Sequence, residues 1–104
     1  MGDELRRSRR VRGPFEAGWS GHSGAGTCRL TDISEGGCFV ETRALPHVGE
    51  RVTVQAKLSA DSPLRLEGVV VYNVPSIGFA VQFSCEPDVL LKLREVLGDV
   101  VDRD

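Results

Sequence analysis

The chain has 104 residues, 40% hydrophobic and 27% charged, which suits one soluble globular domain and excludes a two-domain or a disordered protein. Its formal net charge of −2 conceals an asymmetry: residues 1–12 hold five arginines against Asp3 and Glu4, a local +3, and the remainder stands at −5. A basic arm on an acidic body points to a local anionic partner and argues against DNA or RNA bound across the whole surface.

Cys28, Cys38 and Cys85 are odd in number and widely spaced, with no Cys-x-x-Cys, which fits reduced thiols better than a disulfide framework. The longest apolar run, near Val69–Tyr72, is far short of the roughly 20 residues a membrane helix needs. No apolar stretch follows the N-terminal arginines, so they do not read as a secretory signal, and a cytoplasmic location is the expectation. His22, His47 and the cysteines lack metal-ligand spacing, and no cysteine–histidine pairing supports catalysis; neither a metal site nor an enzyme is expected.

Taken in order, residues 1–10 form a polar, arginine-rich run interrupted only by Met1 and Leu5, which predicts a mobile arm. Residues 11–104 form the folded domain. Val11, Phe15, Ala17 and Trp19 fall at odd positions, as a half-buried strand places them, and Pro14 demotes the start of that strand to an edge or a bend. Trp19 reads as a core or barrel-rim residue. Gly18–Gly26 reads as a flexible turn or loop. Thr27–Ser34 is the second strand, and Cys38–Thr42 the third.

After the turn Leu45–Gly49, Val52, Val54, Ala56 and Leu58 alternate strictly with polar residues, the clearest strand in the chain. Asp61-Ser62-Pro63 turns the chain back into Leu64–Tyr72. Asn73–Ser76, with Pro75, turns it again into Gly78–Ser84, whose Phe79, Val81 and Phe83 face inward. Six short strands joined by turns indicate an all-β antiparallel barrel or sandwich, and closure would remove its edges. From 87 to 101 the apolar residues Val89, Leu90, Leu93, Val96, Leu97, Val100 and Val101 recur at helical spacing behind Pro87 and Asp88. This helix must pack on something, most simply the open end of the barrel, and it is also the candidate homodimer surface.

The chemistry concentrates at Asp32-Ile33-Ser34-Glu35-Gly36-Gly37. In an extended strand Asp32 and Ser34 point one way while Ile33 anchors the other face. Gly36 and Gly37 can then take positive φ and turn bare N–H groups outward. Carboxylate, hydroxyl and free N–H groups suit a ligand with donor and acceptor edges. The hexapeptide alone also reads as a hairpin turn stabilised by Ser34 and Asp32, and that alternative stays open.

Twenty-one residues separate Asp32 from Arg10, and Arg6 and Arg10 form Arg-x-x-x-Arg. This ordered pair, Arg-x-x-x-Arg and then Asp-x-Ser-x-x-Gly at Asp32, Ser34 and Gly37, resembles the PilZ domain family, whose ligand is cyclic di-GMP. Cys38-Phe39-Val40, Leu-Pro-x-x-Gly at Leu45–Gly49 and the strand Ile77–Phe83 before a terminal helix are similar too. The resemblance runs from Arg6 to about Leu97. It implies a six-stranded barrel with a C-terminal helix, and a bacterial second-messenger receptor that changes conformation and signals to a downstream protein.

By the same resemblance, Arg6 and Arg10 grip phosphate or guanine, with Arg7 and Arg9 in support. Asp32 accepts from a guanine edge, Ser34 donates or accepts, and Gly36 and Gly37 permit close approach. Leu5 stands where some members carry another arginine, which leans toward one bound ligand over an intercalated pair. Cys38 stands where a small residue is common and is expected to be a buried small hydrophobe. The alternative function is a PilZ-like interaction module that does not depend on the nucleotide.

Overall fold

The computed structural model describes residues 10–59 and 62–103. Six strands, β1 (Val11–Gly21), β2 (Gly24–Ile33), β3 (Gly37–Glu41), β4 (Arg51–Ala56), β5 (Leu64–Val74) and β6 (Gly78–Phe83), are followed by one helix, α1 (Pro87–Arg103). They close into an antiparallel barrel in the order β1-β2-β3-β6-β5-β4, with β4 pairing back onto β1. Closure pairs every strand with two neighbours, although Gly24–Cys28 of β2 pair with β1 alone and Val11–Phe15 of β1 lack a β4 partner.

The period-two pattern translates directly into burial. Val52, Val54, Ala56 and Leu58 are all buried, as are Leu30, Val40, Leu66, Val70, Phe79 and Val81 from the other strands. Trp19 is buried among them and meets Phe79 edge to face, ring centroids 5.3 Å apart. Pro14 lies in an irregularity of the β1–β2 register between Arg12 and Phe15, and the start of β1 pairs with β2 alone, since its register with β4 begins at Ala17; this proline sits both at a bend and on an edge.

The stretch Gly18–Gly26 is not a loop. Gly18 through Gly21 continue β1, only His22 and Ser23 turn, and Gly24 through Thr27 pair back in β2. Glycine composition leaves this backbone free, but neighbours on both sides fix it: the same β1 residues pair with β4, Gly18 opposite Gln55 and Gly21 opposite Val52. Glu50 then pins the turn. One carboxylate oxygen accepts from the Ser23 N–H (2.8 Å) and hydroxyl (2.9 Å), and the other from the His47 N–H (3.0 Å). The Glu50 side chain is 6% exposed, and these donors, the Ser23 N–H foremost, hold its carboxyl below the ordinary carboxylate range.

In this topology β1, β3 and β5 start, and β2, β4 and β6 end, at one end of the barrel, where α1 begins four residues after Phe83. Leu93 and Leu97 of α1 are buried in the same core as the barrel strands, with Val89, Leu90, Val96 and Val100 packed against it. The helix is therefore a lid, and its apolar stripe is spent on the barrel. Leu91, at 52% exposed, remains on its outer side.

Candidate ligand-binding site

Asp32 lies near the end of β2, opposite Phe39 of β3, while the next pair, Ile33 and Cys38, is buried. The expected division of faces is present: Ile33 anchors the strand in the core and Asp32 faces outward. Arg10 sits immediately before β1. The pairing of Val11 with Ile33 and Arg12 with Asp32 carries it to the end of β2. Its Nη1 donates to Asp32 Oδ1 at 2.8 Å. The side chains are 67% and 29% exposed, so solvent screens the pair and it is worth about 0–1 kcal/mol. A ligand can displace or share it cheaply. Arg6, Arg7 and Arg9 lie outside the described residues.

Ser34, 6% exposed, follows β2 inside a tightly bonded turn. Its N–H donates to the Gly37 carbonyl (2.8 Å), its Oγ accepts from the Gly36 N–H (3.2 Å), and the Gly36 carbonyl accepts from Phe83 (2.9 Å). Two expectations need correction here. The Gly36 N–H is not bare, because the adjacent hydroxyl occupies it. Neither glycine has positive φ; the positive-φ residues described are Gly49 and Ser76. Gly37 is required instead for close approach, since a Cβ there would run into the Val81 carbonyl of β6. The hydroxyl of Ser34 can still donate one hydrogen bond outward.

Glu35, the residue between Ser34 and Gly36 in this turn, is gripped by α1. Arg94 donates from Nε to Oε2 (3.0 Å) and from Nη2 to Oε1 (3.1 Å), a forked contact that raises the Arg94 pKa through these bonds and the carboxylate charge. The lid and the motif turn are thus directly joined.

Arg10, Asp32, Ser34, Gly36 and Gly37 rim an open hollow of about 520 Å3 that continues along the outer wall past Phe39, Val71, Tyr72, Ala80 and Gln82. Sequence reasoning missed the second group. Phe39 was within reach, because it shares the outward parity of Gly37 two residues earlier. Tyr72 and Ala80 were not, because only the β5–β6 and β3–β6 registers set them beside Phe39. A second hollow of about 600 Å3 lies over β4, β1, β2 and β3, but Glu41, Arg29, Glu16 and Lys57 alternate in sign among its residues. That alternation leaves no single-signed field for a dianion.

Cys38 is buried as a small hydrophobe, and burial, then Cys28 and Asp32, push its thiol up. Burial pushes Cys28 up to about 11. All three cysteines are free, and among the described residues no group of three or more His, Cys, Asp or Glu could hold a metal. No described helix is long and apolar enough to cross a membrane.

A family model described as PilZ domain matches residues 4–101. Among solved structures, the PilZ domain of CeSA from a cellulose-synthesizing bacterium is similar at 19% identity, covering 88% of this chain and 97% of that one, with a TM-score of 0.68. The complex of MrkH with c-di-GMP from K. pneumonia is similar at 17% identity, over 92% of this chain and 51% of that one, TM-score 0.70. The PlzA protein of Borreliella burgdorferi, in complex with c-di-GMP, is similar at 12%, over 92% and 37%, TM-score 0.59. The chain therefore spans about half of MrkH and just over a third of PlzA. At these identities the likeness establishes the fold. No curated protein matches the sequence.

Proposed function

The chain belongs to the PilZ domain family, and from that premise we propose that it is a cyclic di-GMP receptor, a binding module and not an enzyme. The observation that carries this reading is the convergence of Arg10 and Asp32. Twenty-two positions apart in sequence, they meet at 2.8 Å on the rim of a hollow that also holds Ser34, Gly36 and Gly37. Two structures of the same fold hold c-di-GMP.

The ligand carries two guanines and two phosphodiesters, so it needs cations and acceptors together. The Arg10 guanidinium has five donors and spends one on Asp32; the remainder can fork onto phosphate or onto guanine O6 and N7. The Asp32 carboxylate can accept from guanine N1–H and the exocyclic amine. Gly36 and Gly37 keep the turn free of side chains that would hold the ligand off.

In this reading the arginine arm supplies Arg6, with Arg7 and Arg9 in support, and folds over the bound ligand. The reordered arm and first strand then present a new surface to a downstream protein, an order–disorder switch. A dimer through α1 would have to use its outer side, around Leu91.

A second reading is an interaction module independent of the nucleotide. It is favoured by the way the motif groups satisfy one another, Arg10 with Asp32 and Ser34 with Gly36. Calorimetric titration with cyclic di-GMP decides between them. The wild-type chain is expected to saturate, and Arg10→Ala to bind about 1.5–3 kcal/mol more weakly, the worth of a charge-assisted contact. That is roughly 10- to 150-fold in affinity. No saturation at high micromolar ligand would leave the interaction module standing.

A further inference from the structure

Among the described residues Gly24–Cys28 of β2 pair with β1 alone, because the β2–β3 register begins only at Arg29 and Glu41. Gly24 through Thr27 are exposed and Cys28 is partly buried. We propose that a second copy of the chain docks on this open edge, β2 against β2 in antiparallel register, so that one sheet runs through both barrels of a dimer. The proposal is independent of the cyclic di-GMP reading.

The hairpin decides which groups the edge offers. The two-residue turn His22-Ser23 closes on the pair Gly21 and Gly24, and such a turn closes on a hydrogen-bonded pair. Alternation then aims the backbone N–H and C=O groups of Gly24, Gly26 and Cys28 at β1, and those of Ala25 and Thr27 away from it. A two-fold axis at Gly26 sets Ala25 opposite the partner's Thr27, and Thr27 opposite the partner's Ala25. Each of these pairs exchanges two N–H···O bonds. Between them Gly26 meets the partner's Gly26, and Gly24 meets the partner's Cys28, so nothing bulkier than a thiol crosses the seam. The pairing stops there, because Arg29 is already opposite Glu41 and the chain turns away at Ser23.

Edges that avoid pairing carry lysine, proline or a bulge. This edge carries none of them. The register is unbroken from Phe15 and Leu30 to Gly21 and Gly24, and Ser20–Cys28 contains no Asp, Glu, Lys or Arg. On a body of charge −5, such a stretch lets two copies approach with the least repulsion. The outer side of α1 is the poorer dimer surface. Leu91 is its one exposed large hydrophobic among the described residues, and Lys92, Glu95 and Asp99 are exposed on the same helix.

An edge of this length makes a small interface, so the dimer depends on concentration. Sedimentation of the full wild-type chain is expected to move from 11.3 kDa toward twice that mass as concentration rises to high micromolar. By NMR hydrogen exchange, the Ala25 and Thr27 amides should exchange about twofold more slowly where half the chains are dimeric. Gly26→Cys places a Cβ 3.9 Å from Trp19 Nε1, an ordinary contact. Its Cα would stand about 4.5 Å from the partner's, within disulfide range. Under mild oxidation this variant should form a covalent dimer that wild type does not. Thr27→Pro removes an edge donor and no bond to β1, and should stay monomeric. A wild type that remains monomeric at high micromolar concentration, or a Thr27→Pro chain that dimerises equally well, overturns the proposal. So does a dimer whose Ala25 and Thr27 amides exchange as in the monomer and whose Gly26→Cys variant does not cross-link, the result expected of an α1 interface. Protection of both amides at monomer mass would mean that another segment of the same chain covers the edge, and would overturn the second copy.

Discussion

Glu50 and Asp32 are two carboxylates at two glycine-rich turns of one barrel, and they are used in opposite ways. Glu50 is nearly sealed, and three donors from the chain itself occupy its two oxygens. Asp32 is more open and, among the described residues, is met by one exposed arginine on one oxygen. Both segments read as polar residues among glycines. The difference is whether the fold consumes the acceptor capacity of the carboxylate or leaves it for something else. A consumed carboxylate holds a turn; an unconsumed one at the rim of a hollow can read a ligand.

The sharpest way to break this contrast is to remove Asp32. Asp32→Ala should cost about 1.5–3 kcal/mol of cyclic di-GMP binding and erase preference over cyclic di-AMP, through loss of hydrogen bonds to an ionised group. Its folding stability should move by no more than about 1 kcal/mol. Competition titration with both nucleotides checks this, and unchanged discrimination would show that Asp32 is not the base reader.

Gly37 tests the scaffold under the same site. Gly37→Ala pushes a methyl into the Val81 carbonyl and should destabilise the chain by about 1–3 kcal/mol, measured by chemical denaturation. Stability equal to wild type would mean that β3 and β6 separate more easily than their pairing suggests.

Glu50 gives the smallest and most conditional effect. Its carboxyl is held below the ordinary value of 4.5 by the Ser23 N–H first, with the His47 N–H, the Ser23 hydroxyl and the His47 charge adding to it. A depressed folded-state pKa means that the unfolded chain binds more protons in acid. Its contribution is therefore complete above about 4.5 and is lost as the pH falls through the lower folded value. Glu50→Gln should be less stable than wild type at neutral pH, and the gap should narrow below 4.5. Denaturation midpoints across that range check it; a constant gap would mean that hydrogen-bond geometry, not charge, makes the difference.

The sequence alone determined the strand count, the inward residues and the terminal helix, because these depend on periods of two and of 3.6 that any short window displays. Val52 through Leu58 and Val89 through Val100 are the clearest cases. It also carried the family motif, since residue types in order survive without coordinates. Three things required the tertiary structure. The Gly18–Gly26 segment is strand because two neighbouring strands pair with it, a condition no local window contains. Gly37 is needed for the approach of β6 and not for a positive φ, a distinction set by a strand over forty residues away. The aromatic wall of Phe39 and Tyr72 exists only through register, and a shift of one residue would turn these side chains to the other face. Local periodicity decides which elements form; long-range pairing decides what they face.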